Sequence, residues 1–469
     1  MICRAFGRLL LGCLFVHLAA CGVGTAYKRP DIATPGQWQE SPAPENSAPA
    51  APVWPAADWW HEFGSTRLDE LIAEAQRSND DLAAAIARVQ EADAQVRIAG
   101  APLLPTVDLG ATATRERAPV VGVGGTELYN EFSPQISASY ELDFWGKNRA
   151  ARASALATAS ASRFDQQTVA LTVISSVAGT YFQALELRDR IEVARHNLEN
   201  GQSVLRGLKA EEAAGTATGL DVAQQDTTVA LLNAAIPPLL EQFRQTVYAL
   251  AVLLGRTPES LQIDAGTLTE LAPPAVIEGL PSQLLSRRPD IAEAEQQLIA
   301  ANADITVARA AFFPSIDLTA SGGYASPALA TLVNPYSRIY AIGAGLTQPI
   351  FHGGAIRGQY QYSQARYTEL VSTYHKTVIT AFSNVESALV ATRQTSDQQL
   401  RQAEAVSKAQ RAFEFAKAQM RAGIVNVLTV LNTENALFTA QDTLVQVQYA
   451  HLQALVDLFT ALGGGWHQG

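Results

Sequence analysis

A chain of 469 residues with 17% charged residues and a net charge of −11 can hold two or three ordinary domains or one extended one. The acidic balance argues against a nucleic-acid binder, which needs a basic stripe over the phosphates. Low charge, with Ala, Gln, Thr and Ser filling the gap, suits long helices that pack closely and keep polar outer faces.

Residues 1–20 read as a signal peptide. Arg4 and Arg8 give a positive start, and "LLLGCLFVHLAA" is apolar, too short to span a bilayer, and ends in small residues. "LAAC" at 18–21 resembles the bacterial lipobox, cleaved just before a cysteine that then carries lipid. Cys21 is therefore the expected lipidation site, each buried CH₂ of the anchor contributing ~0.8 kcal/mol. A plain secretory signal with a chance cysteine is the alternative. Gly22 stands where an aspartate would hold a lipoprotein at the inner membrane, which favours the outer one. Cys3 and Cys13 leave with the signal, so no cysteine remains for a disulfide or a thiolate metal site. Residues 21–57, rich in Pro, Ala and Ser, read as an extended tether. Beyond the signal no 18-residue apolar run stands out, so a membrane crossing falls to strands.

A first structural unit is expected over 58–255. Leu68, Leu71, Ala75, Leu82, Ile86, Val89 and Val96 recur at helical steps, and Pro102 and Pro105 end that helix. Alternating patterns then predict strands at about 106–117 and 134–144, joined by a Gly-rich loop. A proline-free helical stretch follows from about 147 to 212 and stops at the tight turn "AGTATGLDV". A returning helix carries Leu240, Phe243, Val247, Leu250 and Leu254, and Pro237-Pro238 is expected to kink or split it. Residues 256–280 read as a linker.

The same order recurs over 281–463. "LLPTVDL" at 103–109 returns as "FFPSIDL" at 312–318, and strands are expected at about 315–325 and 338–350. The second long helix, about 354–421, steps through Tyr367, Val371, Tyr374, Val378, Ala381 and Val385, a heptad seam. At ~1.5 Å rise per residue it would run on the order of 100 Å. It stops at "AGIVNVLTV". Leu431, Phe438, Val445, Leu452 and Phe459 then recur every seven residues, and 464–469 form a short tail. Gly215 and Gly423 are 208 residues apart, as are Leu220 and Leu428. The chain is thus one unit written twice. Two hairpins give four strands, too few for a membrane barrel, whose smallest bacterial form has about eight. An open edge in lipid leaves backbone groups unpaired, so several copies must close the wall together.

Several stretches carry a family resemblance: "AYKRP" after Cys21, "DWWHEFGSTRLDELIAEAQRSNDDL", "LLGRTPE", "RRPDIAEAEQQL" leading into "ARAAFFPSIDLTASGGY", and "TALGGGW". Together they resemble TolC-type outer-membrane efflux channels, in particular the lipid-anchored NodT/OprM-like branch. The resemblance implies a mainly α fold with a transmembrane β part. Each protomer gives four strands to a shared 12-stranded trimeric β-barrel, continuous with a long α-helical barrel. It implies a homotrimer working with a periplasmic adaptor and an inner-membrane resistance-nodulation-division pump, as a passive duct for drugs or toxic compounds. It also implies that the matched turns dock the adaptor: Gly215, Thr216, Ala217, Thr218, Gly219, Leu220, Asp221 and Val222, and Gly423, Ile424, Val425, Asn426, Val427, Leu428, Thr429 and Val430. The periplasmic gate would fall at Asp221, Asp226, Thr429 and Asn432. Thr429 and Asn432 stand where related channels often carry aspartate, so the second turn is less acidic than the family's habit.

No catalytic pattern is present: there is no G-x-S-x-G, no H-E-x-x-H and no phosphate loop. Neither metal nor cofactor is expected, and no enzymatic role. Two other functions stay open: protein secretion with an ATP-driven transporter, and a structural periplasmic coiled-coil lipoprotein without a pore.

Overall fold

The computed structural model describes residues 23–39, 54–119, 126–263, 265–274 and 281–466. Cys21, the signal peptide and the Gly-rich loop at 120–125 lie outside them. The elements run in the order expected. Helices α1 (Thr66–Ser78) and α2 (Asp80–Gly100) lead to strands β1 (Thr106–Pro119) and β2 (Thr126–Glu141), then to α3 (Lys147–Ala213) and α4 (Gly219–Leu253). The second copy gives α5 (Pro289–Ala310), β3 (Ser315–Tyr324), β4 (Arg338–Thr347), α6 (Ala355–Arg421) and α7 (Val427–Ala461). α3 and α6 are 67 residues each, and α4 and α7 are 35 each.

The chain divides into two compact units that cut across the sequence copies. One comprises residues 1–31, 88–163 and 293–375; the other comprises 32–87, 164–292 and 376–469. In the first unit the four strands form one antiparallel sheet, β1-β2-β3-β4. β2 pairs with β3 from Gln135↔Gly323 to Glu141↔Asp317, which joins the two copies edge to edge. Trp145 fastens the base of the sheet: its ring stacks on Phe313 at 4.7 Å and its Nε1 donates to the Pro314 carbonyl at 2.8 Å.

Strand ends differ from expectation. β2 starts at Thr126 instead of 134, because Thr126 to Ser133 pair with Thr112 to Pro119. The ladder runs through Pro134, opposite Ala111, at the cost of one missing donor. β2 closes at Glu141 instead of 144, β3 at Tyr324 instead of 325, and β4 at Thr347 instead of 350. Next to Thr347, Gln348 Nε2 donates to the Phe312 carbonyl at 3.2 Å, and Pro349 offers no N–H to extend the ladder.

In the second unit a core gathers Trp59 and Phe63, Leu68 and Leu71 of α1, Val177 and Phe182 of α3, Leu250 and Leu254 of α4, and Leu455 and Phe459 of α7. Trp59 is fully buried and stacks on Phe459 at 4.9 Å. The expected linker joins this core through Leu261, Ile263, Leu268 and Leu271. An 18-residue window of α3 reaches a mean hydropathy of 1.3, enough by length and composition to cross a membrane, and half of it is buried. The sequence reading missed that window. Its apolar side chains include the α3 residues of this core.

α4 passes Pro237 and Pro238 without splitting. Asn233 and Ala234, whose carbonyls lose their helical donors, are exposed, so those carbonyls are not left buried and unpaired. The described part of the expected tether is extended but docked. In the first unit Arg29 pairs with Glu295, and Asn302 Nδ2 donates to the Thr25 carbonyl at 3.0 Å. In the second, Trp38 is buried edge-on against Phe382, and Gln39 N donates to Glu386 Oε1 at 2.8 Å.

Truncating the largest buried side chain tests this core. Trp59→Ala should destabilise the second unit by about 3–5 kcal/mol and lower the apparent melting temperature in detergent. Trp59→Phe, which keeps a ring against Phe459, should lower it less.

Candidate functional site: a two-faced sheet and two capped turns

Strand pairing assigns every sheet residue to a face. Val107 opposes Ala138, which opposes Ala320, which opposes Ile342; Tyr140, Leu318 and Ala344 form the next row. This face is apolar, with Leu109 and Ile342 about four-fifths exposed (79% and 83%). The opposite face carries Thr106, Asp108, Ser137, Ser139, Gln135, Asp317, Thr319 and Ser321. Large apolar groups turned outward cost ~25 cal/mol per Å² if left in water, which a lipid environment removes. β1 and β4 end the strand order, so each leaves one side of its backbone without a strand partner among the described residues. One chain supplies a piece of wall with a lipid face, a water face and two open seams.

At the other functional element each long helix stops and reverses. Gly215 (φ 76°) and Gly423 (φ 72°) are left-handed, which a side chain would strain. Around them Thr216 N donates to the Glu211 carbonyl and Gly215 N to that of Glu212, both at 2.9 Å. Ile424 N to Gln419 and Gly423 N to Met420 repeat the pattern at the same distances. This is the Schellman stop. The next helix then opens on a cap. Thr218 accepts from Asp221 N, while Asp221 Oδ2 accepts from Thr218 N at 2.9 Å and Oγ1 at 2.7 Å. Asn426 Oδ1 accepts from Thr429 N at 3.2 Å and Oγ1 at 3.1 Å. The Thr218 hydroxyl and then its amide hold the Asp221 carboxyl below the usual range.

Two of the expected gate residues, Asp221 and Thr429, are thus cap partners at equivalent places. Asp226 and Asn432 lie further along α4 and α7 and are exposed. Val427 and Val430 are buried, and Val427 packs with Leu208 and Leu431. Thr216, Gly219, Leu220, Ile424 and Leu428 are exposed, Ala217, Val222 and Val425 partly so. Leu220, Ile424 and Leu428 each present more than half of their surface.

Sequence reasoning missed Gln225 and Glu434. Both are fully buried. Gln225 Nε2 donates to the Gly201 carbonyl at 2.9 Å and to Glu434 Oε2 at 3.4 Å. Gly201 makes room: a Cβ there would come within 3.0 Å of Leu232. Gln225 Oε1 and Glu434 Oε1 have no partner. Burial pushes the Glu434 carboxyl above its ordinary 4.5, against the Gln225 hydrogen bond and the charge of Lys417. The signal was present: Val427, Val430, Leu431, Glu434, Leu437 and Phe438 share one helical stripe, and one member is acidic. Among the described residues no group of three or more His, Cys, Asp or Glu is placed to hold a metal.

The profile of the outer membrane efflux protein family matches residues 71–256 and again 280–464. This chain belongs to that family. It is 42% identical over 98% of its length to the pyoverdine export outer membrane protein OpmQ of Pseudomonas aeruginosa, covering 96% of that protein. It is 32% identical to the cation efflux system protein CusC of Escherichia coli, over 98% of this chain and 99% of CusC. The solved CmeC outer membrane channel of Campylobacter jejuni superposes with a TM-score of 0.89 at 25% identity, over 96% of each chain. As a family member, the chain is an outer-membrane channel component of an efflux system in a Gram-negative bacterium.

The Glu434 carboxyl makes the packing of the turn region depend on pH. Its folded value is raised, so between the ordinary and the raised value the packed state holds a proton that the unpacked state releases. Stability is full below the ordinary carboxyl value and falls as pH rises through the raised one. Protection of α4 and α7 amides, taken relative to the base-catalysed intrinsic exchange rate, should therefore fall as pH rises above the ordinary carboxyl value. Glu434→Gln should flatten that dependence; an unchanged slope would place its origin elsewhere.

Proposed function

We propose that three copies of this chain close a twelve-stranded barrel and serve as the exit duct of a tripartite pump. A periplasmic adaptor docks at Gly215–Val222 and Gly423–Val430, and an inner-membrane pump of the resistance-nodulation-division class supplies the energy. The chain itself carries out no bond chemistry. Lipid on Cys21 anchors each protomer. The observation that carries this reading is the four-stranded sheet: it has a lipid face and a water face, and edges that only neighbouring copies can pair. The exposed apolar side chains Leu220, Ile424 and Leu428 at the turns support docking of a helical partner. Opening is a shift between two packings of the turn helices, biased by adaptor contact. Names among the relatives range from pyoverdine to cations, so the cargo is set outside the shared fold; drugs and toxic small molecules are the class proposed.

Planar-bilayer recording on the purified, lipidated protein tests the duct. Stepwise conductance from trimers is expected; trimers without conductance would favour a structural lipoprotein. A deletion strain challenged with antibiotics, dyes, metal ions and pyoverdine-type compounds identifies the cargo. Gly423→Pro should abolish export while trimers persist, and normal tolerance in that strain would refute the docking assignment.

A further inference from the structure

Charge in the sheet is sorted by face. β1 to β4 contain three arginines, Arg115, Arg117 and Arg338, and six acids, Asp108, Glu116, Glu127, Glu131, Glu141 and Asp317. The register puts every arginine on the apolar face and every acid on the opposite one. Arg115 and Arg117 share the row of Val107 and Leu109, and Arg338 that of Ile342 and Leu346. All three are exposed.

Their height is equally ordered. β1 leaves the helices at Thr106 and climbs to its hairpin; β4 descends from the 325–337 loop toward α6. Arg115 is eight residues above Val107, and Arg338 is eight above Leu346. Eight residues of tilted strand rise about 20 Å, against an apolar band about 25 Å tall in outer-membrane barrels. The arginines therefore stand at the outer rim of the lipid-facing surface, where headgroups begin. A guanidinium at the hydrocarbon midplane would cost about 2–4 kcal/mol, falling toward zero at the interface, and its planar fork matches phosphate oxygens. Arg115 and Arg117 lie on one edge strand and Arg338 on the other, so edge-to-edge closure brings basic groups to each seam.

We propose that Arg115, Arg117 and Arg338 form an outward-facing rim that binds the phosphorylated glycolipid headgroups of the outer leaflet, of the lipid A class. The inference rests on the channel reading, which supplies the membrane. Its test uses the intact lipidated protein, with bilayer conductance recorded on the same preparations so that loss of lipid binding and loss of the channel are told apart.

Binding is read by flotation with vesicles containing lipid A against vesicles of zwitterionic phospholipid alone, and by native mass spectrometry of retained lipid. Wild type should bind lipid A vesicles at least tenfold better than zwitterionic ones, and the preference should shrink as salt rises. Arg115→Gln/Arg117→Gln/Arg338→Gln should lose the preference and keep conductance. Arg→Lys at the same positions should retain part of it. Glu127→Gln, on the other face, should leave it unchanged. If the triple variant assembles poorly, the single variants and the wild-type salt dependence decide. Equal binding to both vesicles by wild type, or undiminished lipid A binding by the conducting glutamine variants, overturns the proposal.

Discussion

A backbone amide in lipid has no water to turn to, so each unpaired N–H or C=O costs several kcal/mol. That cost governs the whole arrangement. β2 from Gln135 to Ser139 and β3 from Asp317 to Gly323 have strand partners on both sides within one chain, while β1 and β4 have one each. No rearrangement of four strands removes two edges; only another copy does. The duplication gives each protomer two hairpins, and the β2–β3 ladder fuses them into one panel of wall. The panel's two faces follow from the period of two along a strand: the alternation that makes the outside apolar makes the inside polar and acidic.

The helices answer a different constraint. A 67-residue helix buries little per turn unless neighbours line up along it, which explains small residues such as Ala157, Ala159, Ala161 and Ala178 among the buried ones. Stopping such a helix sharply needs its last carbonyls and the next helix's first amides paired within a few residues. The Schellman turns at Gly215 and Gly423 and the caps at Thr218 and Asn426 do this without outside help. The turns are thereby self-sufficient in hydrogen bonds, and their exposed surface is left apolar at Leu220, Ile424 and Leu428. The polar exception is internal: Glu434 and Gln225 sit in an otherwise apolar setting with one oxygen each unpaired. A packing that leaves such groups under-satisfied is held by less than its apolar contacts suggest.

Much of this was legible in the residues. The repeated "PTVDL" and "PSIDL", the glycines 208 apart and the seven-residue stepping of Leu431 to Phe459 give the order of strands, turns and helices, because each is a local signal. What escaped was non-local. The start of β2 at Thr126 depends on its partner strand, since Thr126 to Ser133 are placed by pairing with β1. The docking of Arg29 and Gln39 depends on Glu295 and Glu386, hundreds of residues away. Glu434 could be picked out as the acidic member of an apolar stripe, but Gln225 looked like one polar residue among many, and only burial pairs the two. Sorting of strand charge needs the register, since Arg115, Glu116 and Arg117 are neighbours in sequence and lie on opposite faces in the sheet. At the turns, the sequence marked Asp221 and Thr429 through resemblance, whereas their hydrogen bonds show a capping task that any soluble helix would recognise.

The central claim is that the wall exists only between copies. Strand-resolved amide hydrogen exchange on the detergent-solubilised particle, with its mass determined alongside, addresses it most directly. Closure between copies requires a particle of several protomers in which the outward amides of β1 and β4 exchange as slowly as those of the β2–β3 ladder. A monomeric particle, or an assembled one whose β1 and β4 amides exchange at the rate of open edges, would contradict it.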